Sequence, residues 1–335
     1  MTHTLLIDPL LRALADPTRL RIMRLLSAME LAVGELAQVL GQSQPRVSRH
    51  VKILCDAGLA QRRKEGNWVF LKTAIGEHLA PSLGAATARL LAAAEQDDAT
   101  FAARCREDRQ HLAAIRAARE AASAAYFARH AAEWDQIRSL LSPEAPVEAA
   151  LAQALGANLG AFLDVGTGTG RMAELFAPHA AHVTALDKSP DMLRIARTRL
   201  QHLPAGKADL VQGDFTALPF AEASFDTVLF HQVLHYAQAP GEVIAQAARV
   251  ARPGARIAVV DLAAHEHEEL RSAHAHARLG FTDEQMRELF AGAGFEADDA
   301  IAVAGGQLTI KIWTGQRAAA PVPSEIPNSV KVPLS

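Results

Sequence analysis

A glycine-rich turn in the second half of the chain constrains the fold most strongly. The apolar run from Ala161 to Val165 leads directly into Gly166, Gly168 and Gly170, which alternate with threonines. Glycine adopts backbone conformations that other residues avoid, and it lets a ligand approach the backbone closely. A predicted strand, a glycine turn and a predicted helix in this order indicate a ligand-binding turn.

The pattern around this turn predicts a parallel, doubly wound sheet. From about residue 160, short apolar runs alternate with amphipathic helical stretches, which is typical of α/β folds. The predicted strands are Ala161–Val165, His182–Leu186, Thr227–Phe230 and Arg256–Val260. The glycine spacing is G-x-G-x-G, whereas the dinucleotide fingerprint is G-x-G-x-x-G, so NAD is disfavoured.

The run from Phe162 to Gly170 resembles motif I of class I methyltransferases, and the similarity in order and spacing extends over residues 160–262. The resemblance implies a Rossmann-like domain that binds S-adenosylmethionine or S-adenosylhomocysteine. The candidate ligand-binding residues lie in the turn or after the following strands, and they are Asp164, Gly166, Gly168, Gly170, Asp187, Lys188, Met192, Asp214, Phe215 and His231.

Several of these residues have predicted roles. Asp187 ends the second strand, where a carboxylate can accept hydrogen bonds from both ribose hydroxyls. Gly213-Asp214-Phe215 resembles the segment that contacts adenine, with Asp214 as acceptor for the exocyclic amine and Phe215 or Met192 packing the base. Asp164 is expected to hold the turn or the amino group of the ligand, and His231 to lie at the carboxyl edge of the sheet.

The first 75 residues show the spacing of a helix-turn-helix. Asp16 before Pro17 is a helix start, because Asp caps free N–H groups and Pro fits the first turn. A second helix, about residues 33–40, stops at Gly41, and Ser43 with Pro45 opens a third that ends near residue 58. On this third helix Val47, Val51 and Leu54 share one face, which leaves the polar side chains for DNA.

A basic hairpin follows that helix. Residues 60–64 and 67–72 read as two strands, and a hairpin beside a recognition helix is a wing suited to phosphate or minor-groove contact. Although the chain has a formal net charge of -3, residues 41–72 carry +5. The candidate DNA-contacting residues are Gln44, Arg46, Ser48, Arg49, His50, Lys52, Arg62, Arg63 and Lys64.

This region resembles the ArsR/SmtB family over about residues 8–75. The resemblance is carried by residues 15–22, 34–37 and 44–54. It implies a homodimer that binds pseudo-palindromic double-stranded operator DNA. The thiolate positions of the metal-sensing members correspond to Ala32 and Gly34, which cannot coordinate a metal, so no metal site is predicted.

These patterns predict an α plus α/β organisation: a winged helix-turn-helix domain (1–75), an Ala-rich helical linker and dimerisation segment (76–145), a methyltransferase-like domain (146–315) and a disordered tail (316–335). The chain has two cysteines without close spacing, no signal-peptide pattern and no long apolar stretch, so we expect a cytoplasmic protein without a membrane segment.

Two functions remain open. The sequence from His231 to His235 lacks the Asn/Asp-Pro-Pro-aromatic tetrad that holds the amino nitrogen in many methylases of DNA and protein. A histidine-rich segment follows Asp261, but one regular helix could not direct all four of its histidines to a single metal ion. These are His265, His267, His274 and His276. We favour a sensor, because the DNA-binding residues are intact and a signature for a methyl acceptor is missing. Fused proteins of this type resemble repressors that respond to S-adenosylhomocysteine and control methyl-cycle genes. Linker residues 100–142 could then both dimerise and cover the ligand, and the alternative for this segment is a plain structural coiled pair. The alternative is an active small-molecule methyltransferase with a regulatory DNA-binding domain.

Overall fold

The computed structural model describes residues 5–65, 67–75, 82–141, 144–303 and 308–318. The amino-terminal domain contains helices α1 Ile7–Leu14, α2 Pro17–Ala28, α3 Val33–Leu40 and α4 Gln44–Asp56, and strands β1 Leu31–Ala32, β2 Ala60–Glu65 and β3 Trp68–Thr73. The strand order is β1-β3-β2, all antiparallel. The predicted winged helix-turn-helix is confirmed, with β1 as an additional short strand.

Local sequence explains the helix boundaries of this domain. Asp16 Oδ1 accepts hydrogen bonds from the backbone N–H groups of Thr18 (2.8 Å) and Arg19 (3.1 Å), so it caps α2 as predicted. Gly41 ends α3 with a φ of 62°, the left-handed conformation that glycine adopts without strain. Val47, Val51 and Leu54 of α4 are buried, as their spacing predicts.

The middle of the chain is helical. It contains α5 Leu83–Asp97, α6 Ala99–His130, α7 Trp134–Leu141 and α8 Glu144–Leu155. Asp98 caps α6 by accepting hydrogen bonds from the N–H groups of Thr100 and Phe101. The buried carboxylate of Asp108 accepts a hydrogen bond from Arg21 Nε (2.8 Å), which fastens α6 to α2 of the amino-terminal domain.

The carboxyl-terminal domain alternates strands and helices. In chain order it contains β4 Gly160–Val165, α9 Arg171–Phe176, β5 Ala180–Asp187, α10 Pro190–Leu200, β6 Ala208–Gln212, β7 Phe225–His231, α11 Pro240–Val250, β8 Ala251–Leu262, α12 Glu269–Ala273, α13 Asp283–Gly292, β9 Phe295–Ala297, β10 Ile301–Val303 and β11 Ile310–Arg317.

These strands form one sheet in the order β10-β11-β8-β7-β4-β5-β6, with β9 pairing with β11. Strands β4 to β8 are parallel, which confirms the Rossmann-like prediction. Strand β11 pairs antiparallel with β8, β9 and β10, and these three carboxyl-terminal strands, β9 to β11, were not predicted. The predicted tail is wrong at its start, because Gln316 and Arg317 belong to β11. Residues 319–335 of that tail lie outside the described residues, as does Gly66 of the predicted wing turn.

Helices cover both faces of this sheet. Neighbouring residues Val228 and Leu229 of β7 belong to opposite apolar clusters. The first cluster includes Ile244 of α11 and Phe290 of α13, and the second includes Phe176 of α9. Within the described residues, no helix combines the length and apolar character that crossing a membrane requires.

The two domains are docked through a buried carboxylate at the end of β2. Glu65 is 7% exposed, and its Oε1 accepts hydrogen bonds from Arg271 Nη2 (2.9 Å) and from the backbone N–H of Leu279 (2.7 Å). Its Oε2 accepts a hydrogen bond from Arg63 Nη1 (2.7 Å). Because a buried charge is costly unless it is paired, this contact fixes the position of the wing against the carboxyl-terminal domain.

A second ion pair lies beside the first. Arg278, which is 3% exposed, donates to Glu30 Oε2 (3.0 Å) and stacks over the ring of Phe70, with 4.2 Å between guanidinium carbon and ring centroid. Burial lowers the pKa of Arg278, while Glu30 and Glu65 oppose that shift. At the edge of the interface, Lys72 of β3 donates to Glu288 of α13 (2.9 Å).

Replacing Glu65 with Gln should loosen the docked wing. The substitution removes one of the carboxylates that pair with the arginines of this contact, and removing one partner of a buried pair costs up to about 3–5 kcal/mol of unfolding free energy. Glu30 and Glu268 still pair with these arginines, so we expect the lower part of that range. Amide hydrogen exchange should then accelerate in β2 and β3, and the urea midpoint should fall. Glu266→Gln, which changes an exposed glutamate of the carboxyl-terminal domain, is the control. Equal protection of the wing in both variants would contradict the role given to Glu65.

Candidate functional site

A cavity of about 1010 Å³ lies between the two domains. Its floor contains the glycine turn after β4 and the residues that follow β5, β6 and β7. Its roof contains Trp68 and Phe70 of the wing, Glu35 of α3 and one side of α6. The carboxyl edge of a parallel sheet is where α/β folds bind ligands. The DNA-binding domain therefore forms part of the wall of the predicted ligand site.

The glycine turn requires glycine on geometric grounds. Gly166, Gly168 and Gly170 have φ values of 70°, 55° and 84°, which other residues rarely adopt. A Cβ on Gly166 would lie 2.4 Å from Val233 Cγ2, and one on Gly170 would lie 3.0 Å from the Cβ of Ala196. The neighbouring atoms thus leave no room for a side chain at these two positions. The turn therefore presents its backbone to the cavity.

Two carboxylates organise the backbone around this turn. The buried Asp164 accepts a hydrogen bond from Thr167 Oγ1 (2.6 Å), so it holds the turn as predicted. Asp187 accepts hydrogen bonds from the N–H groups of Gly168 and Ser189, both at 2.8 Å, and lines the cavity. Burial raises the pKa of Asp187 despite these hydrogen bonds. Each carboxylate oxygen keeps a lone pair for a ligand hydroxyl.

Lys188 connects the ligand side of the cavity to the helical segment. It donates to Asp214 Oδ2 (2.8 Å) and forms an ion pair with Glu120 of α6. Burial opposes ionisation of Asp214, but hydrogen bonds from Lys188 and Thr216 outweigh it and hold the pKa of Asp214 below its usual value. Asp214 is therefore an ionised acceptor already engaged by these two residues.

The remaining predicted ligand residues also reach the cavity. Met192, which is 2% exposed, Phe215 and His231 all contribute to its wall. The structure thus brings together all the predicted ligand residues except Gly170, whose part is to allow the close packing of α9 and α10. Their individual contacts with a ligand stay predictions.

Aromatic side chains from the helical segment cover the glycine turn. Phe127 of α6 contacts Trp134 and Tyr236 edge to face, with ring centroids 5.3 Å and 4.9 Å apart. Asp135, beside Trp134, accepts a hydrogen bond from Thr169 Oγ1 (2.6 Å) and pairs with Arg199. The segment that sequence reasoning proposed as a cover for the ligand lies on the cavity wall.

Most predicted DNA-contacting residues are exposed. On α4 these are Gln44, Arg46, Ser48, Arg49 and Lys52, and on β2 they are Arg62 and Lys64. Lys52 is paired with Asp56 one turn later, at 2.7 Å. The exposed face of α4 and the outer face of β2 form the candidate DNA-binding surface.

Two predicted DNA residues point elsewhere. Successive residues of a strand alternate between faces, so Arg63 turns inward while Arg62 and Lys64 face out. Arg63 pairs with Glu30 (3.1 Å) and Glu65 (2.7 Å) and therefore belongs to the interdomain contact. The side chain of His50 is only 14% exposed and faces Asp16, with 3.7 Å between Nδ1 and Oδ1. These positions correct the sequence-based assignment.

The histidine-rich segment is not one regular helix, because α12 covers only Glu269–Ala273. His276 is buried beside His235, with ring centroids 4.2 Å apart, and the buried Asp261 lies 2.7 Å from His235 Nδ1. His274 Nδ1 lies 2.9 Å from the hydroxyl of Tyr126. In the part of the chain that is described, no group of His, Cys, Asp and Glu has an arrangement that could hold a metal ion.

Sequence reasoning missed the residues that join the domains. Glu30, Glu65, Trp68 and Arg278 carry no local motif, and their partners are distant in the chain. Only the alternation of β2 and β3 offered a signal, because it places Glu65 on the same inward face as Arg63.

Known proteins match each half of the chain separately. Residues 16–62 match the ArsR family of bacterial regulatory proteins, and residues 163–259 match a methyltransferase domain family. The chain joins an ArsR-family DNA-binding domain to a class I methyltransferase domain. The arsenical resistance operon repressor of Escherichia coli K12 is 42% identical to the ArsR-family part over 83 residues, which are 24% of this chain and 66% of the repressor.

The methyltransferase domain resembles demethylmenaquinone methyltransferases. That of Renibacterium salmoninarum is 37% identical over 99 residues (30% of this chain, 40% of the relative). That of Tropheryma whipplei strain Twist is 36% identical over 138 residues (40% of this chain, 56% of the relative). The match thus spans about half the length of these relatives.

Among solved structures, a Burkholderia thailandensis 1,6-didemethyltoxoflavin-N1-methyltransferase with bound S-adenosylhomocysteine is 22% identical, with a TM-score of 0.48. The similarity covers 59% of this chain and 89% of that one.

Asp187→Ala should abolish binding of the adenosyl ligand by the methyltransferase domain. Two hydrogen bonds to a charged acceptor are worth about 1.5–3 kcal/mol each, so we expect at least about a hundredfold loss of affinity. Calorimetry measures the change. Asp209→Ala, an exposed aspartate on β6, is the control. Intact ligand affinity in Asp187→Ala would refute the pocket assignment.

Arg49→Ala should weaken binding of the ArsR-family domain to duplex DNA. Losing one phosphate contact lowers the slope of log affinity against log salt by about 0.9. Fluorescence anisotropy with a mixed-sequence duplex over a salt series measures this slope. Arg106→Ala removes an exposed cation from α6 and serves as control. If Arg49→Ala and Arg106→Ala gave the same slope, α4 would not be the DNA-binding surface.

Proposed function

We propose that this chain is a cytoplasmic transcriptional regulator, of the repressor type, whose methyltransferase domain senses S-adenosylmethionine or S-adenosylhomocysteine. As a homodimer it binds double-stranded operator DNA through α4 and the wing. Ligand occupancy changes operator affinity, and the regulated genes belong to the methyl cycle. The homodimer, the repressor activity and the target genes rest on the resemblance to fused repressors of this type.

The observation that carries this proposal is the shared cavity. Asp187 and the glycine turn lie on one side of it, and Trp68, Phe70 and Glu35 of the DNA-binding domain lie on the other. A ligand that fills the cavity acts on both domains at once. Such a ligand can shift the equilibrium between two domain arrangements only by its difference in affinity for them.

Helix α6 offers a second route for coupling. Arg119 donates to the buried Glu35 of α3 (2.6 Å), and its neighbour Glu120 pairs with Lys188 beside Asp187. The same helix is fastened to α2 through Asp108. A displacement of Lys188 on ligand binding is therefore transmitted by one rigid element to the domain that carries the recognition helix.

The direct test combines ligand binding with DNA binding. Calorimetry with each of the two ligands is followed by operator titrations with and without ligand, on a duplex that the protein selects from a random-sequence pool. We expect at least one ligand to change operator affinity by about fivefold or more, the lower range of allosteric coupling. Ligand binding that leaves operator affinity unchanged would contradict the sensor.

Glu120→Gln should uncouple the two activities. It removes the ion pair with Lys188 but keeps the one between Lys188 and Asp214. We expect ligand affinity to change little, while the effect of ligand on operator affinity shrinks. The same calorimetric and operator titrations measure both. Glu107→Gln, an exposed glutamate on α6, is the matched control. Undiminished coupling in Glu120→Gln would exclude this route through α6.

One observation favours the enzyme alternative. Asp261 holds His235 by its Nδ1, while His235 Nε2 is buried without a hydrogen-bond partner. A histidine oriented by a carboxylate is typical of a general base. It lies behind His276, which lines the cavity. Product analysis with S-adenosylmethionine and candidate acceptors tests this alternative, which predicts turnover that His235→Gln abolishes.

A further inference from the structure

The cavity has two ends of different chemistry. One end contains the glycine turn, Asp187 and Asp214, where the adenosyl ligand is placed by the proposed function. The other end, which we call the wing compartment, is lined by Trp68, Phe70, Arg116, Arg119 and Gln238, and by Tyr236, which also contacts Phe127 over the glycine turn. None of these residues belongs to the methyltransferase motifs. A pocket for one drug-sized ligand measures roughly 300–1,000 Å³, and this cavity of about 1010 Å³ is at the top of that range.

The wing compartment contains a cation without a counter-charge. Arg119 donates to Glu35 (2.6 Å), and Arg278 to Glu30 (3.0 Å). Arg116 on the same face of α6 is half-buried, makes no ion pair with any described residue, and has a buried Nε without a hydrogen-bond partner. Burial lowers the pKa of Arg116, since removing a guanidinium from water disfavours its charge. An anion bound there would satisfy both the charge and the donor.

The carboxylates near Arg116 do not meet this need. Glu35 is already engaged by Arg119 and by the N–H of Ala32 (2.8 Å). Glu242 also lines the cavity, but it is exposed and forms no ion pair with Arg116. The attraction of Glu242 is therefore screened by solvent.

Flat side chains form the rest of the compartment. Trp68 and Phe70 of β3 enter from the wing, and Tyr236 from the segment after β7. Burial raises the pKa of Tyr236, so its hydroxyl stays a neutral donor. Arg271 lies over the ring of Trp68, with 4.4 Å between guanidinium carbon and ring centroid, so a planar guest would contact the part of this ring that Arg271 leaves uncovered. Contacts between aromatic rings favour a planar aromatic guest.

We propose that the wing compartment binds a second small molecule, a planar aromatic carboxylate, next to the adenosyl ligand, with its carboxylate on Arg116 and its ring against Trp68. Because Trp68 belongs to β3, this second ligand contacts the wing directly. The proposal goes beyond the sensing of the adenosyl ligand and does not require that such sensing occurs.

The test is calorimetry with benzoate, salicylate and 2-naphthoate, each added to protein saturated with S-adenosylhomocysteine and to protein without it. We expect saturable binding of at least one acid, and at least tenfold weaker binding of its uncharged amide. Arg116→Gln should lower the affinity at least tenfold, and Arg116→Lys should restore part of it. Arg106→Gln is the control on the same helix. Unchanged affinity for S-adenosylhomocysteine in Arg116→Gln shows that the variant is folded.

Three results would overturn the proposal. They are an absence of saturable binding for all three acids, equal affinity for acid and amide, and displacement of S-adenosylhomocysteine by the acid, which would place both in one compartment. If the acid binds through Arg116 to protein that shows no affinity for the adenosyl ligands, the proposed function fails and the second site stands.

Discussion

The carboxylate of Glu65 is the contact on which the relation between the two domains depends. It is buried at the end of β2 and accepts hydrogen bonds from Arg63 in its own domain and from Arg271 and Leu279 in the other. These partners stabilise the buried carboxylate in the observed arrangement of the wing. Other arrangements are less stable, because they would leave a buried charge unpaired. The cavity owes its roof to this contact, because Trp68 follows Glu65 closely in the hairpin.

This arrangement connects the methyltransferase domain physically to the domain that carries α4. The residues of the methyltransferase domain that line the cavity are connected to the amino-terminal domain in two ways. The first is the cavity roof. The second is α6, where the neighbouring residues Arg119 and Glu120 pair with residues of different domains. Arg63 is a cation of the wing that the docked state holds in ion pairs with Glu30 and Glu65. A change in docking would therefore alter both the position of the wing and the charge that it presents.

The sequence was sufficient for features with a local cause. The Asp16 cap, the Gly41 helix end, the alternating glycines and Asp187 at the end of β5 all depend on neighbouring residues. It was insufficient for side chains whose position depends on a partner far away in the chain. Arg63 looked like a DNA contact, but Glu30 and Glu65 pair with it in the interdomain contact, and His50 is turned toward Asp16. The antiparallel β11 was missed because its pairing with β8 is decided by tertiary contacts, and its last residues were read as a tail.

In the proposed function, occupancy of the adenosyl site and binding of operator DNA are energetically coupled. Coupling is reciprocal, so the affinity for S-adenosylhomocysteine must change on saturation with operator DNA by the same factor by which that ligand changes operator affinity. Calorimetry of the ligand with free protein and with the protein–operator complex measures this factor directly. We expect the ligand affinity to shift by about fivefold or more. Identical ligand affinities in the two titrations, repeated with S-adenosylmethionine, would contradict it.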